Sequence, residues 1–274
     1  MEKFIDKIYK SHLQCPQCVS PRVIQDFFDQ LLGVLFPEHA VVVISSKAIL
    51  EEKISLLQVE LQNILQRNPQ LHGKDASHLA NEFFIQLENV FDLIHQDVDA
   101  VFLGDPAAKL RMEVLRSYPG FYAIAAHRIA HLMHQMGIFL IPRMISSYAH
   151  SKTGIDIHPG AKIGHHFCID HGTGIVIGET AIIGDFVKIY QGVTLGALSV
   201  NKEDAGTKRH PTIGNHVVIY SGATILGGET EIGDFSIIGG NVWLTKSIPP
   251  QSKIYYQSKM YDSNSASSDT FIVK

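Results

Sequence analysis

IHPGAKIGHHFCIDHGTGIVIGETAIIGDFVKIYQGVTLGAL, residues 157–198, opens one six-residue unit after another with an aliphatic side chain. In register the units start at Ile157, Ile163 and Ile169, then at Ile177, Ile183, Ile189 and Leu195. They resume at Ile213, Ile219, Ile225, Ile232, Ile238 and Leu244. Neither a helix of 3.6 residues per turn nor a strand of period two repeats in this way. A short strand followed by a turn does, three times per coil, and the chain then winds as a triangular β-solenoid. The first side chain of each unit points inward and stacks from coil to coil. Gly, Asn or Asp is expected at the corners, where positive φ is needed. The rhythm slips by one or two residues near Ile175 and near Glu231, and a polar insertion, NKEDAGTKRHP at 201–211, interrupts it.

Upstream the texture is helical. Ile54, Leu57, Leu61, Ile64 and Leu65 fall on one helical face, and Asn68-Pro69 marks its end. A second apolar stripe, Phe84, Leu87, Phe91 and Ile94, runs within a segment from about Ala76 to Val101. Gly104-Asp105-Pro106 breaks it, with Asp105 expected to cap the next helix, and a further helix is expected from Gly120 to Met136. The expected organisation is α+β: a helical domain over 1–152, a β-helix over 153–250 and a tail over 251–274. The outer faces of such a prism leave apolar surface for other copies, so oligomerisation is expected.

The chain has 274 residues, 45% hydrophobic and 18% charged, with a net charge of −4, as in an ordinary soluble protein. Its longest basic cluster, Lys208-Arg209-His210, gives no electrostatic case for nucleic acid. The opening MEKFIDKIYK lacks an apolar signal core, and no apolar run approaches the roughly 18 residues of a membrane span, so a cytoplasmic protein is expected. Three cysteines fit a reducing compartment. Cys15-Pro16-Gln17-Cys18 has no second pair to complete a zinc site and reads as ordinary residues.

The segment DIHPGAKIGHHFCIDHGTGIVIGET, followed by QGVTLGAL, RHPTIG and ATILGG, resembles the serine acetyltransferases, members of the hexapeptide-repeat acyltransferases. The likeness reaches upstream through Asp105-Pro106-Ala107, Tyr118-Pro119-Gly120-Phe121 and Arg128-Ile129-Ala130-His131, and covers roughly residues 100–250. It implies a left-handed parallel β-helix, where the general crossover rule alone gives the right hand. It also implies transfer of acetyl from acetyl-CoA to the hydroxyl of L-serine, the step that commits serine to cysteine. A neutral alcohol is a poor nucleophile and needs a base. An imidazole suits the task and can return the proton to the leaving thiolate.

The resemblance assigns that base to His171 and its partner carboxylate to Asp156. The fifteen-residue spacing puts the two on one prism face, a coil apart. For the acceptor's carboxylate it implies Arg209 and His210; for its ammonium, Asp105 and Asp170, with Glu179 as a further acid. Acetyl-CoA is expected along a groove where Gly196, Ala197, Ser221, Gly222 and Ala223 keep the surface small. The resemblance further implies homotrimers with the pocket between subunits, pairing of trimers into hexamers through the helical domains, and inhibition by cysteine.

His127, His131 and His134 share a helical face at metal-binding spacing, but packing is the simpler explanation and no metal is expected. Three other readings stand beside acetyl transfer to serine. One is another hydroxyl acceptor, another a zinc enzyme similar to the gamma-type carbonic anhydrases, and the third a non-catalytic scaffold. Paired cationic and acidic groups favour a zwitterionic acceptor over a sugar. Three places depart from the family pattern. Tyr122 replaces a histidine, Gln251 to Tyr256 replace a Gly-Val-Pro-Ala segment, and Lys274 stands where many relatives end in isoleucine. The last predicts a weak or absent complex with O-acetylserine sulfhydrylase.

Overall fold

The computed structural model describes residues 1–14, 19–68, 71, 75–198, 206–261 and 268–272, with 258–261 and 268–272 described by their backbone only. Cys15, Cys18, Lys274 and residues 201–205 of the insertion lie outside the described residues. Seven helices come first: α1 (Glu2–Gln14), α2 (Pro21–Leu35), α3 (Lys47–Gln66), α4 (Ala76–Gly104), α5 (Arg111–Ser117), α6 (Pro119–Gln135) and α7 (Leu140–Thr153). Side-chain oxygens of Ser20, Ser46 and Asp75 accept first-turn N–H groups of α2, α3 and α4. Gly154, at φ 70°, closes α7 in the left-handed conformation that an L side chain resists.

The expected stripe of α3 is buried at Leu57, Leu61, Ile64 and Leu65. On α4 the buried face is Phe83, Leu87, Val90, Ile94, Val98 and Val101, so Leu87 and Ile94 of the expected stripe lie on it. Phe84 and Phe91 pack at its edge. Asp105 does not cap the following helix. It ends α4, its N–H bonded to Val101 O at 3.0 Å, and Leu110 precedes α5. The Pro106 turn consumes the residues between.

The strands follow at once. The first coil runs through β1 (Asp156–Ile157), β2 (Lys162–Ile163) and β3 (Cys168–Asp170), the second through β4 (Val176–Ile177), β5 (Ile182–Ile183) and β6 (Lys188–Tyr190). β7 (Thr194–Gly196), β8 (Thr212–Ile213) and β9 (Val218–Ile219) form the third coil, and β10 (Thr224–Leu226), β11 (Glu231–Ile232) and β12 (Ile237–Ile238) the fourth. β13 (Trp243–Leu244) and β14 (Lys253–Ile254) begin a fifth, and β15 (Gln257–Tyr261) pairs antiparallel with β16 (Ser268–Ile272). Three parallel sheets result, β1-β4-β7-β10-β13, β2-β5-β8-β11 and β3-β6-β9-β12-β14: a left-handed parallel β-helix behind a helical domain. Ile157, Ile177, Leu195, Ile225 and Leu244 stack in the first sheet's register, as the hexads require. The Gln251–Tyr256 departure is a regular rung, because Ile254 pairs with Ile238 and extends the third sheet beyond residue 250.

The corners between the third and first sheets meet expectation, with positive φ at Gly174, Gly192, Gly222 and Asn241, and those between the second and third sheets differ. His166, Phe186, His216, Phe235 and Gln251 hold φ of 55–60°, where Gly, Asn or Asp was expected. Four of these rings stack in a column, with centroids 4.4, 4.8 and 4.7 Å apart, and this contact offsets the left-handed strain. The Asx residues stand one place earlier. Asp185, Asn215 and Asp234 each accept the N–H of the residue one coil before, at 2.7–2.8 Å.

One buried ion pair joins the two domains. Arg128 of α6 grips Asp97 of α4 through Nε at 2.9 Å and an Nη at 3.0 Å. The same guanidinium donates to the carbonyls of Ile163 and Gly164, both at 2.6 Å. Asp97 also accepts the Phe167 N–H at 2.9 Å. The side chains are 4% and 0% exposed. Among the described residues no helix is long and apolar enough to cross a membrane.

Candidate active site

β3 turns Asp170 outward, and the two-residue slip in the hexads then puts His171 on the corner between the third and first sheets. His171 takes φ 57°, and its side chain is 74% exposed. Its Nε2 lies 3.7 Å from Asp170 Oδ1. The other Asp170 oxygen binds Lys188 Nζ at 2.8 Å, and that ammonium also donates to Gly104 O at 2.8 Å. Beside it, Asp105 accepts Tyr118 Oη–H on Oδ2 at 2.6 Å and the Ala107 N–H on Oδ1 at 2.8 Å. The tyrosine bond first, then the amide, pull the Asp105 carboxyl below its usual range. The same bond pushes Tyr118 up to about 12. Buried Cys168, across from Lys188, is likewise pushed up to about 12 by desolvation and is inert.

Asp156 is half-buried on β1. The corner Gly172–Ile175 rests on Gly154–Asp156 through Gly174 N–H to Gly154 O and Asp156 N–H to Ile175 O, at 2.8 and 2.9 Å. Asp156 and His171 therefore share a corner, not a face, because the slip lengthens the step after Ile169. Among the described contacts the carboxylate nearest the imidazole is Asp170, and none joins Asp156 to it.

A second group occupies the other end of the first sheet. Glu179 and Thr180 turn from β4 to β5, and Arg209 and His210 enter β8 one coil on. Thr180 Oγ1 accepts the N–H groups of Arg209 and His210, at 2.9 and 3.1 Å. His210 Nδ1 accepts from Thr180 Oγ1 at 2.8 Å and from the Thr180 N–H at 3.1 Å, which leaves its proton on Nε2. Burial, then Arg209 and Lys208, lower His210 to about 4, so it is neutral near pH 7. Arg209 pairs with the Glu179 carboxylate. Burial works to raise that carboxyl, but the guanidinium bond wins and lowers it. Gly178 is required here: a Cβ would sit 2.0 Å from the His210 ring.

The structure thus gathers Asp105, Asp170 and His171 at one corner and Glu179, Arg209 and His210 at another. The cofactor candidates divide the same way. Gly196 ends β7 and Ala197 follows it towards the second corner, while Ser221 and Gly222 lie on the first, and Ala223 is wholly buried with its N–H and carbonyl bonded to Tyr220 O and the Thr194 N–H. Sequence reading missed Lys188, Tyr118 and Thr180. Tyr118 lay within the quoted Tyr-Pro-Gly-Phe segment, but nothing in a sequence shows where its hydroxyl points.

The histidine stripe of α6 does other work. His131 Nδ1 bonds Pro159 O at 2.7 Å and its Nε2 takes Gln135 Nε2 at 2.9 Å, so both ring nitrogens are used. His127 is buried, with its pKa lowered well below normal by desolvation. No group of three His, Cys, Asp or Glu that could hold a metal occurs among the described residues. Tyr122 donates to Asp29 at 2.9 Å, beside Tyr148 at 2.6 Å, and braces the helical domain.

No protein-family model matches the chain. A plasmid-encoded serine acetyltransferase of Synechococcus elongatus is 50% identical over 203 residues, 72% of this chain and 63% of that protein. The serine acetyltransferase of Mycobacterium tuberculosis is 46% identical over 158 residues, 58% of this chain and 67% of that protein. The chain spans less than two thirds of the first two curated relatives it matches, 63% and 64%. Among solved structures, serine acetyltransferase isoform 3 of Entamoeba histolytica, in complex with cysteine, superposes with a TM-score of 0.74. It is 37% identical, with 87% of this chain and 84% of that one covered.

Proposed function

Since the chain belongs to the serine acetyltransferase family, we propose that it transfers acetyl from acetyl-CoA to the hydroxyl of L-serine, giving O-acetyl-L-serine and free CoA. The observation that carries this reading is the pairing of complementary half-sites: an exposed imidazole among fixed carboxylates, and a guanidinium beside a neutral imidazole. His171 takes the serine hydroxyl proton as the oxygen attacks the thioester carbonyl. The tetrahedral adduct collapses, the C–S bond breaks, and the imidazolium returns the proton to the thiolate. Asp170, 3.7 Å away, stabilises the imidazolium by charge, and Asp156 adjoins the same corner. Asp105 and Asp170 take the ammonium. Arg209, with His210 donating from Nε2, takes the carboxylate, which must share the guanidinium with Glu179.

One chain separates these halves across the first sheet. A homotrimer that brings the His171 corner of one copy against the Arg209 corner of the next completes the pocket. Pairing of trimers through the helical domains, a cytoplasmic setting and the acetyl-CoA groove along the coils follow from the same reading. Cysteine carries the same ammonium and carboxylate as serine, so it competes at this site. His131 spends both ring nitrogens on hydrogen bonds, which weighs against a metal on α6.

An acceptor screen tests the reading. Acetyl-CoA and a thiol-detecting reagent, with L-serine, homoserine, threonine or a galactoside, must show CoA release fastest with L-serine and unchanged by EDTA. Equal rates across the acceptors end the claim for serine, and loss of activity to the chelator revives the metal alternative.

A further inference from the structure

Lys188 stands between the two carboxylates assigned to the acceptor's ammonium. Strand register sets it across from Cys168 on β3, two pairs before Asp170 faces Tyr190. An ammonium has three N–H donors, and here three groups receive them. Asp170 Oδ2 and Gly104 O each lie at 2.8 Å, and the Tyr190 ring centroid at 4.6 Å. The Lys188 side chain is only 16% exposed. A lysine this covered is uncommon unless paired. Burial opposes its charge, but the Asp170 and Tyr190 hydrogen bonds outweigh that and raise its pKa.

The Gly104 carbonyl belongs to the peptide bond that leads into Asp105. One cation therefore anchors Asp170 through its side chain and Asp105 through its backbone. It also links the end of α4 to β3. Asp170 Oδ1 is left turned towards His171. Tyr118 and Ala107 fix the Asp105 carboxylate from the other side. We propose that Lys188 is a positioning residue for the acceptor, holding Asp105 and Asp170 at the separation that an α-ammonium group bridges. The proposal rests on the acetyl-transfer reading above and deepens it.

The parent protein, Lys188→Met and Lys188→Arg are compared for kcat, for both KM values and for L-serine binding by isothermal titration. Lys188→Met is expected to raise the L-serine KM and Kd by about tenfold or more, with the acetyl-CoA KM within about twofold. Lys188→Arg keeps a cation and gives a smaller rise. An unchanged L-serine KM and Kd, or serine and acetyl-CoA KM values that rise together, overturns the proposal, as does Lys188→Arg no better than Lys188→Met. Should Lys188→Met fail to fold, Lys188→Arg alone must raise the serine values selectively. An active parent with unmoved variants removes only the role of Lys188. A parent that neither acetylates nor binds L-serine removes both readings.

Discussion

Replacing His171 lowers kcat for L-serine acetylation by about 10²- to 10⁴-fold, the contribution of a positioned general base. The protein meanwhile folds as before, because the ring is 74% exposed and its one charged contact is at 3.7 Å. The choice of variant matters. His171 sits at φ 57°, a conformation asparagine adopts more easily than alanine. His171→Asn therefore melts like the parent, and His171→Ala slightly lower, while both lose activity alike. Steady-state kinetics with thermal melts check this, and either variant retaining activity within about tenfold of the parent removes the imidazole from the role of base.

The largest expected loss of stability comes from Arg128→Ala. It leaves the Asp97 carboxylate buried without its partner and removes the donors to Ile163 O and Gly164 O. Breaking one member of a buried pair costs about 3–5 kcal/mol, a large part of a typical folding free energy of about 5–15 kcal/mol. Asp97→Leu combined with Arg128→Met costs less than the two single changes summed, because no unpaired charge remains. Urea unfolding reads both. A cost below about 1 kcal/mol for Arg128→Ala contradicts the reading that this pair locks the helices to the coils.

The pair also marks where sequence reading stops. Arg128 lay in a recognisable segment, but Asp97 was one acid among many on a long helix. Only packing shows that the two meet at the seam between domains. The solenoid was legible because the hexad is a local rule: Ile183 tells where Ile189 goes, and each stacks on its counterpart one coil before, Ile163 and Ile169. On α4 the four residues of the stripe fall within a wider buried face, Leu87 and Ile94 on it and Phe84 and Phe91 at its edge. The corners were read as Gly, Asn or Asp on conformational grounds alone. Ring stacking between coils, invisible to any single turn, lets Phe186 and His216 stand there instead.

The site was partly legible for the same reason. Its residue types came from motifs and the chemistry they need, whereas its partition into two corners depends on how coils count round the prism. The fifteen residues from Asp156 to His171 suggested one face until the slip after Ile169 moved His171 to the corner. Lys188 carried no motif. Its meaning lies in the carbonyl of Gly104, some eighty residues upstream, brought to it by the docking of α4.

A site shared between copies is checked most directly by co-expressing two variants that are each inactive, His171→Asn and Arg209→Ala, and assaying the mixed assemblies. If His171 of one copy works with Arg209 of the next, random mixing in a closed ring leaves about one site in four with both residues intact. Activity should then return to about a quarter of the parent's. Mixed assemblies no more active than the separate variants would contradict the shared site.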